Sequence, residues 1–169
     1  MTSSNDTFNE ARDSSCVVAY VQLAGREIRY EREGRGSPLI LLADQRLRAV
    51  LQAALSRHFC VIAPKQSLEM LGRDTDSLSG FIDALGLCRP AVVAEGRWGA
   101  APRAWLIGEA DSLAGLALVC DRDCRCVTAP GVLSAGSSFI APMCLHIRTF
   151  GDAPDDGQFA AMLDFLMKS

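Results

Sequence analysis

Four short runs of nearly unbroken apolar residues, LILLA (39–43), FCVIAP (59–64), AVVAE (91–95) and LAGLALVC (113–120), constrain this chain most. Each is too short for a membrane span and has no polar alternation, as expected of a strand covered on both faces of a parallel sheet. Between them lie segments with helical spacing. Residues 45–57 carry Leu47, Val50, Leu51, Ala54 and Leu55 at that spacing, and TDSLSGFIDALGL (75–87) carries Leu78, Phe81, Ile82 and Leu85. Thr75 or Asp76 is the expected cap of the second helix, and Gly86 its stop. A further helix is expected over 98–109, with Pro102 in its first turn, where the missing N–H is harmless. APMCLHIRTF (141–150) reads as the last strand and 158–168 as the last helix, with Phe159, Met162, Leu163 and Leu166 on one face.

The alternation predicts an α/β fold in three layers, a doubly wound and mostly parallel sheet with helices on both sides. CVVAYVQL (16–23) and EIRYER (27–32) alternate instead, with Ala24 and Gly25 between them, and predict an N-terminal β-hairpin. Residues 1–15 read as a flexible polar tail and 16–169 as a single domain. At 169 residues such a domain buries roughly 70% of the surface of its unfolded chain and needs no metal or disulfide to fold.

With 22% charged residues and a net charge of −3, the chain carries no basic patch for nucleic acid or an anionic membrane. No apolar run approaches the roughly 18 residues of a membrane span, and the start lacks the pattern of a signal peptide. The expectation is a cytoplasmic protein with reduced thiols. Cys16, Cys60, Cys88, Cys120 and Cys144 lie among apolar neighbours and read as small buried hydrophobes. Cys120, Cys124 and Cys126 cluster in VCDRDCRCV, but C-x3-C-x-C is no standard ligand spacing and no histidine adjoins it, so neither metal nor cofactor is expected. Gly34 and Gly36 do not make a phosphate loop, since no Lys-Ser/Thr pair and helix follow.

Taken in order, VQLAGREIRYEREGRGSPLILLADQ, FCVIAP, LSGFIDALGL, AVVAEGRWGAA, LAGLALV and APMCLHIRTFGDAPDDGQFAAMLDFL resemble the α/β-hydrolase fold family, from about residue 17 onward. The resemblance implies a hairpin, a third strand leading into the oxyanion loop, a nucleophile elbow after the fifth strand, and an acid and a histidine later. In place of the elbow G-x-S-x-G this chain has Ala94-Glu95-Gly96-Arg97-Trp98-Gly99, so Gly96 or, one register on, Arg97 stands at the nucleophile. Neither attacks a carbonyl. Where the family's oxyanion loop begins His-Gly, this chain has Ala43-Asp44, and a carboxylate there opposes a developing oxyanion.

TFGDAPDD (149–156) resembles the acid segment, with Asp152 the closest match and Asp155 the other option. The histidine position is empty: His58 precedes the fourth strand and His146 lies within the seventh. Only residues 121–139 stand where the family carries a cap, and the segment for an eighth strand is missing. The Ser-His-Asp triad is thus absent, and the resemblance implies a truncated, non-catalytic relative that works by binding.

Asp44, Glu95, Gly96, Arg97 and Trp98 are the candidate binding residues, with Asp152 as a fossil acid. Glu95 and Asp152 could both pair with Arg97. Arg and Trp are enriched at interface hot spots, while the plainer reading has Trp98 filling the space of the lost lid and Arg97 in solvent. The expected partner is a second copy or another protein at the open sheet edge, or a small-molecule ligand in the old pocket. The alternative is a hydrolase or lyase with an atypical site built from Asp152, Arg97 and a cysteine. Ser134, Ser137 and Ser138 lack an elbow frame and read as loop residues.

Overall fold

A computed structural model describes residues 16–66, 68–108, 112–121, 143–147 and 156–168. Among these residues, seven strands, β1 (Val17–Leu23), β2 (Arg26–Glu33), β3 (Pro38–Leu42), β4 (Cys60–Pro64), β5 (Ala91–Glu95), β6 (Gly115–Asp121) and β7 (Met143–Ile147), form one sheet in the order β1-β2-β4-β3-β5-β6-β7. β1 and β2 pair antiparallel, β2 meets β4 antiparallel, and every other pairing is parallel. The hairpin turn places Ala24 and Gly25 both at positive φ, 49° and 76°, the twist that a two-residue connection between right-twisted strands requires.

Strand residues alternate between two apolar layers. Ile40, Leu42, Val92, Ala94, Leu116 and Leu118 face α2 (Leu68–Arg73), α3 (Thr75–Ala84) and α4 (Ala100–Gly108). Leu39, Leu41, Val61, Val93, Ala117 and Val119 face α1 (Gln45–Leu55) and α5 (Asp156–Lys168). This is the three-layer α/β architecture expected of strands buried on both faces. On α5, Met162 and Leu166 are buried, and Phe159 and Leu163 pack beside them.

Several local expectations are corrected. α2 is an element without a sequence signal, since six residues are too few for a periodic stripe. Asp74, not Thr75 or Asp76, caps α3, its carboxylate accepting from the Ser77 N–H at 3.1 Å. The expected helix at 98–109 is split into a 3-10 turn at Gly96–Trp98 and α4 from Ala100, with Pro102 in the first turn. β6 runs one residue further than expected, to Asp121. Cys60 is buried as expected, but Cys16 and Cys88 are exposed. Cys16 adjoins the edge strand β1 and Cys88 the turn after α3, where apolar neighbours do not bring cover.

The buried stripe of α1 also differs from expectation. Beside Leu51 and Leu55 it buries Arg48 and Gln52. These polar groups are satisfied across the gap to β2 and β4. Arg48 donates to the Pro64 carbonyl at 3.3 Å, and Gln52 Nε2 to Glu33 at 2.9 Å. Ser56, just past the helix, donates to Glu33 at 3.3 Å.

Gly34 and Gly36, at φ 84° and 113°, carry the chain from β2 to β3 in close contact with backbone carbonyls of Ser56, His58 and Phe59. A Cβ at either position would collide with those carbonyls. The polar tail, the 121–139 loop beyond its first residue, Cys124, Cys126, the three loop serines, Asp152 and Asp155 lie outside the described residues.

Candidate functional site

Sheet order decides where a site can form. The chain leaves β3 toward β4 on one side and later returns to β5 on the other. Between the carboxyl ends of β3 and β5 the winding reverses, and such a switch point opens a crevice in doubly wound sheets. Two candidate segments converge there: Asp44 just beyond β3, and Glu95-Gly96-Arg97-Trp98 at the end of β5.

Asp44 is the N-cap of α1. Its Oδ1 accepts from the N–H groups of Arg46 and Leu47, each at 3.0 Å, satisfying two of the helix's free donors. Its Oδ2 accepts from Arg97 Nη2 at 2.9 Å. Glu95 spends both oxygens as well. Oε1 meets Arg97 Nε at 2.6 Å, and Oε2 accepts from the Asp44 backbone N–H at 3.0 Å. The Glu95 residue is 8% exposed, whereas the Arg97 side chain is 47% exposed, so the cluster has a buried base and a half-exposed rim. With two carboxylates on one guanidinium, the trio carries a net negative charge.

Gly96 opens the 3-10 turn that replaces the elbow and adds no functional group. The Arg97 guanidinium carbon lies 5.3 Å from the centre of the Trp98 ring, a cation–π arrangement. Trp98 itself belongs to the core and packs on α2: a Cβ at Gly72 would come within 2.8 Å of both Cα and Cβ of Trp98. Its indole N–H is buried with no acceptor among the described residues.

Asp44, Glu95, Gly96, Arg97 and Trp98 are thus neighbours, and Glu95 does pair with Arg97. The pairing of Asp152 with Arg97 lies outside the described residues. Unforeseen in the sequence was the Glu95 contact to a backbone N–H across the switch point. The signal for half of it was present, since an aspartate directly before a helical apolar stripe is an N-cap pattern. His58 is exposed before β4, and His146 sits in β7 in register with Cys120 of β6. Among the described residues no three His, Cys, Asp or Glu side chains gather as a metal site, and no helix is long and apolar enough to cross a membrane.

No family model and no curated protein sequence matches the chain. Solved structures do. A membrane phospholipase A described as a bacterial virulence factor superposes with TM-score 0.52 and 17% identity, covering 63% of this chain and 40% of its own. A loop variant of the haloalkane dehalogenase DbeA from Bradyrhizobium elkanii gives TM-score 0.50 and 21% identity, over 62% of this chain and 40% of its own. The chain has the α/β-hydrolase fold. It spans about two fifths of the length of these two structures. In catalytically active enzymes of this fold a backbone N–H of the loop after β3 helps to form the oxyanion hole, together with the N–H after the nucleophile. In this α/β-hydrolase fold the Asp44 N–H of that loop is held by a carboxylate of the same chain.

Proposed function

We propose that this chain is a non-catalytic protein of α/β-hydrolase fold that acts by binding, with the rim of the Asp44–Glu95–Arg97 cluster as its contact surface. The hydrogen bond from the Asp44 N–H to Glu95 Oε2 carries this reading. A loop donor that would stabilise an acyl oxyanion is already spent on an anion, and the net negative trio repels a second one. Gly96 supplies no nucleophile, and Arg97 is tied down by two carboxylates. The partner is a second copy of the chain or another protein. Among the described residues β7 pairs with β6 alone, and an open sheet edge invites a further strand.

The test is hydrolysis of a panel of short-chain activated esters and thioesters, with Asp152→Ala purified in parallel. The expected result is the buffer background rate for both proteins. Turnover that disappears in Asp152→Ala overturns the reading in favour of an atypical hydrolase.

A further inference from the structure

At the opposite end of the sheet from the switch point lies a cavity of about 380 Å³. Pro38 and Cys60, the first residues of β3 and β4, form part of its wall, and the turn Gly86-Leu87-Cys88 after α3 forms another. Two features set it apart from an ordinary surface hollow. It brings two free thiols to one space, Cys60 from a strand start and Cys88 from a surface turn. It also sets a cation on one of them, because Arg32 Nε donates to Cys60 Sγ at 3.1 Å.

A guanidinium against sulfur stabilises the thiolate, the nucleophilic form of cysteine. The hydrogen bond to Cys60, and then its charge, hold Arg32 above the ordinary arginine value, so the guanidinium stays charged beside the sulfur. Cys60 is otherwise buried, so the cavity is its route to solvent. Cys88 is exposed on a turn framed by Gly86 and Arg89, both at positive φ. An accessible second thiol beside a cation-supported first one is the arrangement of an attacking and a resolving cysteine.

We propose that Cys60 and Cys88 are a redox pair that a hydroperoxide converts to a disulfide across this cavity. The Cys60 thiolate attacks one peroxide oxygen. An S–O bond forms, the O–O bond breaks, and the leaving alkoxide or hydroxide takes up the thiol proton, giving Cys60 sulfenic acid. The Cys88 thiolate then attacks that sulfur. The S–S bond forms, and hydroxide leaves as water with the Cys88 proton. The two thiols lose two electrons and two protons, and the peroxide gains them. A Cys60–Cys88 disulfide needs the two Cα atoms within about 7 Å of each other.

The full-length protein, fully reduced, is treated with hydrogen peroxide, alkylated, digested and mapped by mass spectrometry. A Cys60–Cys88 crosslinked peptide is expected as the main product. In Cys88→Ser a Cys60 sulfenic acid is expected to accumulate and to be trapped by dimedone. Arg32→Gln is expected to slow Cys60 oxidation several-fold, with its circular dichroism and melting curve showing that it still folds. The proposal is overturned if Cys60 stays reduced while Cys16 and Cys88 oxidise, or if Cys60 oxidises equally fast in Arg32→Gln.

Discussion

The backbone N–H of Asp44 donates to the Glu95 carboxylate at 3.0 Å across the seam between β3 and β5. Each acid then uses its remaining oxygens on Arg97 or on the first turn of α1, so no acceptor in the pair is idle. This closed accounting makes the cluster sensitive to small substitutions.

Asp44 has two duties that can be separated. Asp44→Asn keeps a capping oxygen and loses only the ion pair with a half-exposed arginine, a change of under about 1 kcal/mol. Asp44→Ala also loses the cap and is expected to cost a further 1 kcal/mol or so. Urea unfolding of the two variants checks the order.

Glu95→Ala is expected to be more harmful than Arg97→Ala. Removing the nearly buried carboxylate strands the Asp44 N–H, at about 1–3 kcal/mol, whereas Arg97 stands half in solvent. Equal shifts in the urea midpoint would contradict the buried-base, exposed-rim description.

Gly72→Ala would press its Cβ onto the Trp98 backbone and Cβ. An overpacking cost of about 1–3 kcal/mol is expected, with a change in tryptophan fluorescence as the 3-10 turn shifts. By contrast, Gly86→Ala meets open space, and only its φ of 62° opposes the side chain. Its cost is about 1–2 kcal/mol, with the emission unchanged.

Acid should weaken the β2–α1 interface through Glu31. Burial favours its neutral form, but the hydrogen bond and charge of Lys65, helped by Gln52 and Arg48, outweigh burial and leave the carboxyl below the ordinary glutamate value. A depressed folded pKa gives stability that is present above the unfolded value near 4.5 and lost as the pH falls through the folded value. Glu31→Gln should flatten this part of the pH–stability curve, measured by thermal melts from neutral pH downward.

The central strands were legible because burial on both faces leaves an unbroken apolar run, and the hairpin because one-sided burial leaves alternation. The elements that leave no clear mark in the sequence are either too short or too ambiguous. Leu68–Arg73 spans fewer than two turns. Asp74-Thr75-Asp76-Ser77 offers four capping residues in a row, and only geometry chooses among them. At the candidate site, the family resemblance singles out two strand ends that lie side by side, and the charges of Glu95 and Arg97 suggest their pairing. The Glu95 contact to Asp44 depends on which backbone N–H faces the seam, and side-chain identity carries no trace of that.

Asp44 and Glu95 stand 51 positions apart in sequence. The hairpin, by contrast, pairs Leu23 with Arg26 across a two-residue turn. Local pairings of this kind close early, whereas distant ones wait on loop-closure entropy. The Asp44–Glu95 hydrogen bond therefore exists only where β5 lies beside β3, with the whole α1–β4–α2–α3 excursion folded back between them. The cluster's two ion pairs differ in the same way: Arg97 meets Glu95 two residues away along the chain, whereas it reaches Asp44 only across the assembled sheet.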